Sequence, residues 1–353
     1  MLQLEIKPYT LDFKFSARTS RGTMPDRKLW FIRITDDQGN AGVGEVAPIN
    51  RLSPEEVDDI PDLLLKYQMI LTEHERPETG EAVFELVEGL VPKEESSIRF
   101  GLEMALLDLI NGGTRRIFGT EPERIDLPVN GLIWMGDISF MESQIKEKLD
   151  QGFRCIKLKV GANDFESELE VIKKLRGISD DIVIRLDANG AFETNEVLSK
   201  LRQLSKYNIH SIEQPILPMQ PEAMEIVCMK SEIPIAFDEE LTYVFLSQDR
   251  MSLIQELKPH YLVLKPTLHG GFNSVSEWID LAEMHNVAWW ITSYLESNIG
   301  LNAIAQFTGL YKNEEYHGLG TGGLYANNIV SPMLIKEGRL RYTESPLWED
   351  IDF

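Results

Sequence analysis

The sequence predicts an α/β protein: a (β/α) barrel that follows an α+β domain of about 120 residues. Three observations predict it. From residue 127 onward, short apolar runs alternate with amphipathic stretches, the texture of βαβ units. Charged residues recur at the C-terminal ends of these runs, one βα repeat apart. The first 120 residues lack this alternation. The 353-residue length suits one barrel plus one smaller domain.

The N-terminal elements come first. Residues 2–15 and 29–35 alternate apolar and polar like strands. Asp37-Gln38-Gly39-Asn40 reads as a hairpin turn into a third run at 41–45. Ser53-Pro54-Glu55-Glu56 looks like a helix start, with Ser53 as cap and Pro54 at the first position. Residues 96–111 have helical periodicity and stop at Gly112-Gly113. The polar segment 16–27 reads as a loop. It is either a lid carrying Arg18, Arg21 and Met24 over an anionic substrate, or a solvated loop. Residues 46–53 form a second candidate lid.

Eight strand-sized runs follow, at 127–133, 155–160, 182–188, 211–214, 234–238, 261–265, 287–293 and 316–319. Residues 165–176 and 195–207 carry apolar positions at helical spacing between them. Eight runs with helical crossovers is the barrel count. The barrel is assigned to 121–330. Residues 331–353 fall outside it, with a return to the first domain (1–120) left open.

The strand ends carry the chemistry. Lys157 and Lys159 end the second run, Asp187 the third, Glu213 the fourth, Asp238 the fifth and Lys265 the sixth. Barrel enzymes draw their catalytic groups from this rim, so these residues are expected around one cavity. Positions i and i+2 of a strand share a face, so Lys157 and Lys159 point together, with Cys155 below them. Two cations inside a barrel need anions near them; the alternative is an exposed edge strand. Asp187, Glu213 and Asp238 offer oxygen ligands without His or Cys, which suits Mg²⁺, with Mn²⁺ fitting the same ligands. Taken singly, Asp187-Ala188-Asn189-Gly190 is also a turn, and Glu213-Gln214-Pro215 also a strand stopped by proline. The regular spacing favours the joint reading. Lys265-Pro266 ends its strand and aims the lysine at the rim. Nearby cations and burial are expected to lower a lysine pKa towards neutrality and make a usable base for an α-proton.

Other signals are weaker. Gly318-x-Gly320-x-x-Gly323 matches a dinucleotide fingerprint only formally, because it does not open a βαβ unit. It is either a loop whose N–H groups meet a substrate carboxylate or a plain flexible loop. The histidines show no metal spacing. Trp289 and Trp290 are expected in the core, facing the helices.

With 35 Lys and Arg against 57 Asp and Glu, the net charge of -22 argues against nucleic-acid or anionic-membrane partners. No apolar run reaches membrane length. Glu5 and Asp12 interrupt the first apolar stretch, so no secretory leader is expected. Two cysteines, Cys155 and Cys228, read as reduced and cytosolic. The oligomeric state is not legible.

Lys157-x-Lys159, Asp187-x-Asn189, Glu213-Gln214-Pro215, Asp238-Glu239 and Lys265-Pro266, in this order, resemble the enolase superfamily, in its muconate-lactonizing-enzyme-like subgroup. The resemblance covers nearly the whole chain. It implies a modified TIM-type barrel whose N-terminal α+β domain caps the mouth. Within the subgroup, 292–301 and 318–324 are most similar to the o-succinylbenzoate synthases of menaquinone biosynthesis. That similarity implies a lyase that takes the α-proton of 2-succinyl-6-hydroxy-2,4-cyclohexadiene-1-carboxylate and removes water in syn fashion. Lys159 would be base and then acid, Lys265 would hold charge on the opposite face, and Lys157 would tune Lys159 and bind the carboxylate. Asp187, Glu213 and Asp238 would hold the metal. Asn189, Ser293, Gly320, Thr321 and Arg18 would contact the substrate. The alternative is an N-succinylamino-acid racemase or dipeptide epimerase on the same scaffold. The dipeptide epimerases usually carry an Asp-x-Asp on the eighth strand that 318–323 lacks.

Overall fold

The structure, a computed structural model, describes residues 1–19, 22–119, 124–345 and 347–353, and only the backbone at 16, 18, 19, 22 and 23. The chain opens with an antiparallel sheet of β1 (Gln3–Thr19), β2 (Gly22–Thr35) and β3 (Ala41–Val46), in that order. The turn expected at 37–40 is present. The Asp36 carboxylate accepts from the N–H groups of Gln38 and Asn40, and Gly39 takes φ 86°.

Segment 16–27 is not the loop expected. The β1–β2 ladder continues through Ala17–Met24 to Thr19–Gly22 after a register shift between Asp12 and Ala17. The irregularity redirects the hairpin. Beyond it, Phe13 bridges Tyr325, and the Phe13 and Phe15 rings lie 6.3 and 5.3 Å from Trp134. Aromatic packing on the barrel thus holds the strand form that the polar composition argued against.

Three helices cover the other side: α1 (Ile60–Leu71), α2 (Gly80–Leu90) and α3 (Ser96–Ile110). α3 ends as expected, with Gly112 and Gly113 at positive φ. It lies so close to β3 that a Cβ on Gly44 would sit 2.1 Å from the Gly101 carbonyl oxygen. Ser53 does not cap a helix. A 3-10 turn at Val57–Asp59 precedes α1, and the Ser53 hydroxyl instead accepts from the Ile49 N–H and donates to the Tyr294 hydroxyl, 3.3 Å away. Closing the 49–53 loop on the barrel outweighs the local capping preference.

The barrel strands are β5 (Gly131–Ile133), β6 (Cys155–Lys159), β7 (Val183–Asp187), β8 (Ser211–Glu213), β9 (Ile235–Phe237), β10 (Tyr261–Leu264) and β11 (Ala288–Ile291), parallel and in sequence order. A helix follows each: α4 (Ile138–Asp150), α5 (Phe165–Ile178), α6 (Val197–Leu204), α7 (Pro221–Lys230), α8 (Ser247–Leu257), α9 (Gly271–Met284) and α10 (Asn298–Thr308). The eighth run is reduced to two parallel bridges, Val129–His317 and Thr292–Gly318, which join the first and last strands. Among the described residues no α-helix follows it; a 3-10 turn at Gly322–Leu324 does. The ring is therefore (β/α)₇β.

The first predicted run is split. β4 (Asp126–Pro128) leaves the barrel and pairs with β13 (Arg339–Tyr342), which pairs with β12 (Met333–Lys336). The final residues reach the N-terminal sheet, where Arg33 lies 4.6 Å from the Phe353 ring. Trp289 packs in the main core as expected, but Trp290 points the other way, into the barrel. Adjacent strand residues must face opposite sides. Trp290 helps to form the barrel floor with Ala236, Val263 and the Arg185 guanidinium, 3.8 Å above its ring. Among the described residues, no helix is long and apolar enough to cross a membrane.

Candidate active site

The parallel register builds the site. It sets Lys159 opposite Asp187, and Asp187 opposite Glu213, at one level of the rim. Asp238 follows β9 and Lys265 follows β10, so the fifth and sixth strands supply the next two groups. With the eighth run counted, β6 and β10 stand four places apart in the ring, on opposite sides. Each lysine therefore enters the cavity from its own wall.

The three carboxylates are buried, the three lysines keep 12–13% of their side chains exposed, and all six are paired. Lys157 Nζ lies 2.6 Å from Glu213 Oε2 and 2.9 Å from Asp187 Oδ2. Lys159 Nζ lies 3.1 Å from Asp187 Oδ2 and donates to Asn189 Oδ1 at 2.6 Å. Lys265 Nζ donates to both oxygens of Asp238. The predicted metal and lysine positions thus converge, and the exposed-edge reading of Lys157 and Lys159 is excluded.

The expected lowering of a lysine pKa is corrected at Lys157 and Lys265. Burial pulls the Lys157 and Lys265 amines down, but adjacent carboxylates more than offset it and carry both above the ordinary lysine value. Asp187, Glu213 and Asp238 act on Lys157; Asp238, Glu213 and Glu239 act on Lys265. The acids diverge in turn. Burial raises Asp187 and Asp238, yet their lysines hold both below the usual carboxylate range. Burial, with repulsion from Asp187 and Asp238, pushes Glu213 well above it.

Among the described residues, no three acids, histidines or cysteines are disposed as a ready chelate. Lys157 Nζ lies between two of the three carboxylates. The donor set nonetheless fits a hard divalent cation. All three groups are carboxylates, and Glu213 Oε1 is buried without a hydrogen-bond partner.

These groups line one cavity of about 150 Å³, together with Asn189, Ser293, Gly320 and Thr321. Asn189 is fully engaged, accepting from Lys159 and donating to Glu239 Oε1 at 3.1 Å. It sits at φ 44° and Gly190 at φ 77°, so the turn reading of this segment holds. The Ser293 and Thr321 hydroxyls bond each other at 2.7 Å. The side chain of Arg18, like Arg21, lies outside the described residues.

Sequence reasoning named Met24 and 46–53 as candidate lids but missed the apolar walls. Leu132 comes from β5 and Trp134 from the residue just after it, and Leu268, Tyr294 and Leu295 from the loops after β10 and β11. The i, i+2 spacing of Leu132 and Trp134 was the available signal. Met24, Ile49 and Leu52 descend from the N-terminal domain to close the top, packing with Leu268, Tyr294 and Leu295. Arg27, 3 % exposed, holds this roof by donating to the Ala47 and Pro48 carbonyls and, at 3.3 Å, to that of Tyr294.

The enolase C-terminal-domain-like family model matches residues 141–346. The chain is 39% identical to the o-succinylbenzoate synthase of Desulfotalea psychrophila, over 96% of this chain and 98% of that one. The crystal structure of MenC from the same organism superposes with a TM-score of 0.86 at 36% identity, covering 96% of this chain and 99% of that one. A dipeptide epimerase from Enterococcus faecalis, solved with Mg and L-Leu-L-Tyr, shares the fold with a TM-score of 0.85 at 19% identity, each chain being covered to 97%.

Proposed function

The chain belongs to the enolase superfamily, in its muconate-lactonizing-enzyme-like branch, and from that membership we propose that it is a lyase of the o-succinylbenzoate synthase type. The substrate is 2-succinyl-6-hydroxy-2,4-cyclohexadiene-1-carboxylate and the products are the aromatic 2-succinylbenzoate and water. The observation that carries this reading is the pair of amines on opposite barrel walls, with three carboxylates on the strands between them.

Lys159 removes the proton from the ring carbon that bears the carboxylate. It then returns that proton to the hydroxyl on the same face of the ring. The carbon–oxygen bond breaks, and its loss as water leaves the ring aromatic. Asn189 and Asp187 fix the Lys159 amine. Lys265 stays an ammonium on the opposite face and holds the negative charge of the intermediate. Lys157, held charged by Asp187 and Glu213, binds the substrate carboxylate and raises the field at Lys159. Asp187, Glu213 and Asp238 would hold a divalent cation, Mg²⁺ in our assignment with Mn²⁺ fitting the same ligands, and it would supply positive charge that stabilises the developing negative charge. Ser293, Thr321 and the backbone at Gly320 meet the polar end of the substrate. The apolar roof excludes water and packs on the ring. The enzyme works in the cytoplasm on this small molecule, without nucleic-acid or membrane partners.

Racemisation of N-succinylamino acids is the second reading, because a base on each face is also what inversion needs. Dipeptide epimerisation is disfavoured, since 318–321 line the cavity with glycine and threonine and no acid. The test is a dehydration assay with and without Mg²⁺, on the wild type and on Lys159→Ala. Metal-dependent aromatisation that falls about 10²–10⁴-fold in the variant supports the lyase. Folded enzyme that aromatises nothing but exchanges the α-proton of N-succinylamino acids in D₂O moves the assignment to the racemase.

A further inference from the structure

The catalytic reading leaves unused a set of buried polar groups in the N-terminal domain, whose hydrogen bonds land on the loops after β10 and β11. Glu103, fully buried on α3, accepts from the N–H groups of Phe272 and Asn273 at the start of α9. Arg99, one helical turn away, donates to the Gly270 carbonyl at 3.3 Å. Gly270 and Gly271 take φ 87° and 93°, and a Cβ on Gly271 would lie 2.3 Å from the Glu103 carboxylate, so this turn is shaped to bring the chain onto the glutamate.

The same turn begins at Lys265. The Lys265 carbonyl accepts from Leu268 and His269 at 2.9 and 2.8 Å, and the Pro266 carbonyl accepts from Gly271 at 2.8 Å. The Lys265 N–H donates to His269 Nδ1 at 3.1 Å. Residues 265–271 are thus one hydrogen-bonded unit, with the lysine at one end and the Glu103 contact at the other.

We propose that Glu103 is a positioning residue for Lys265: the N-terminal domain fixes where the ammonium of the opposite face stands. The inference rests on the catalytic role of Lys265 given above. Domain seating and lysine placement become one event, so a substrate that fails to seat the roof meets a misplaced Lys265. Burial pushes the Glu103 carboxyl up to about 8 against the pull of Arg99, and its Oε1 has no hydrogen-bond partner. A glutamine therefore keeps the one acceptor oxygen that matters, whereas a methionine of similar length removes it.

The test compares Glu103→Met, Glu103→Gln, Lys265→Ala and the Glu103→Met/Lys265→Ala double variant in the dehydration assay. Amide hydrogen exchange over 265–271 is followed in parallel. Glu103→Met is expected to lower kcat about 10–100-fold, the range seen when a supporting hydrogen bond behind a functional group is lost, with KM changed less than about 3-fold. Exchange at Leu268 and His269 rises, and Glu103→Gln restores both. The double variant matches Lys265→Ala within about 2-fold, since the two act through one group. If Glu103→Met fails to fold, Gly271→Ala disturbs the contact from the barrel side and should give the same kcat loss. A folded Glu103→Met with normal kcat and unchanged exchange, beside an impaired Lys265→Ala, overturns the inference alone. So does a Glu103→Met loss that multiplies that of Lys265→Ala. A fully active Lys265→Ala refutes the catalytic reading on which it stands.

Discussion

Glu45 gives a prediction whose sign is fixed by the structure. It is fully buried at the end of β3, where Oε1 accepts from the Ser297 N–H at 2.9 Å, and Oε2 from the Ser297 hydroxyl and from the Gly300 N–H at 2.8 Å. It thereby caps α10 from the neighbouring domain. Burial pushes its carboxyl from an ordinary 4.5 up to about 7, against the pull of the Ser297 hydrogen bonds. Between these two values the folded protein retains a proton that the unfolded chain has released. Stability therefore falls as pH rises through that window, and the loss is complete above about 7. At 1.36 kcal/mol per unit, the whole contribution is about 3 kcal/mol. Glu45→Gln cannot titrate. It also turns an NH₂ group towards one of the three donors, a fixed cost of about 1–3 kcal/mol. Urea unfolding of wild type and Glu45→Gln at pH 5 and pH 8 reads both terms. The variant should be the weaker protein at pH 5, and the gap should close or reverse by pH 8. A gap of equal size at the two pH values would refute the assignment of this pH dependence to Glu45.

Other outcomes follow from the same geometry. Glu213→Gln should weaken Mg²⁺ binding, read by titration calorimetry, by about 100-fold or more, since one of three carboxylates is lost from a hard-cation site; unchanged affinity would remove Glu213 from the ligand set. Arg185→Met should cost about 2–4 kcal/mol in urea unfolding, because it strips the barrel floor of contacts to Glu315 and the Tyr316 carbonyl, both at 2.5 Å, and of the Trp290 stack. Its kcat should stay within about 3-fold of wild type, as the floor lies below the reacting groups. Trp134→Ala removes an apolar wall of the cavity and the ring that Phe15 packs on, and should raise KM about 10-fold with little change in kcat; a selective fall in kcat would mean that the ring also orients the substrate.

The barrel and its charged rim were legible in the sequence because both are periodic. A strand buried on one face and catalytic at its end must repeat every βα unit, and Lys159, Asp187, Glu213, Asp238 and Lys265 do so. Side-chain alternation sent Lys157 and Lys159 to the same side without any tertiary information. The same rule places Trp290 opposite Trp289, which the expectation of two helix-facing tryptophans ignored. Local signals failed where distant partners outweighed them. Ser53 looked like a helix cap until Tyr294 gave its hydroxyl another partner, and the polar stretches 16–19 and 22–27 stayed extended because Phe13 and Phe15 pack on Trp134 and Tyr325.

The lysine charge states were beyond the sequence for a different reason. Spacing shows that cations and anions meet, but the direction of a pKa shift depends on distances of a few ångströms, and those put Lys157 and Lys265 against carboxylates that outweigh their burial. The contacts of Glu45, Arg99 and Glu103 across the domain seam were invisible likewise. A buried glutamate carries no periodic mark, and its partners lie more than 160 residues away along the chain. The sequence by itself determined which residues share the rim, because chain geometry alone sets strand periodicity. Only the tertiary structure decided how they are charged and what holds them in place, because electrostatics and hydrogen bonding act through space between segments whose proximity no local pattern encodes.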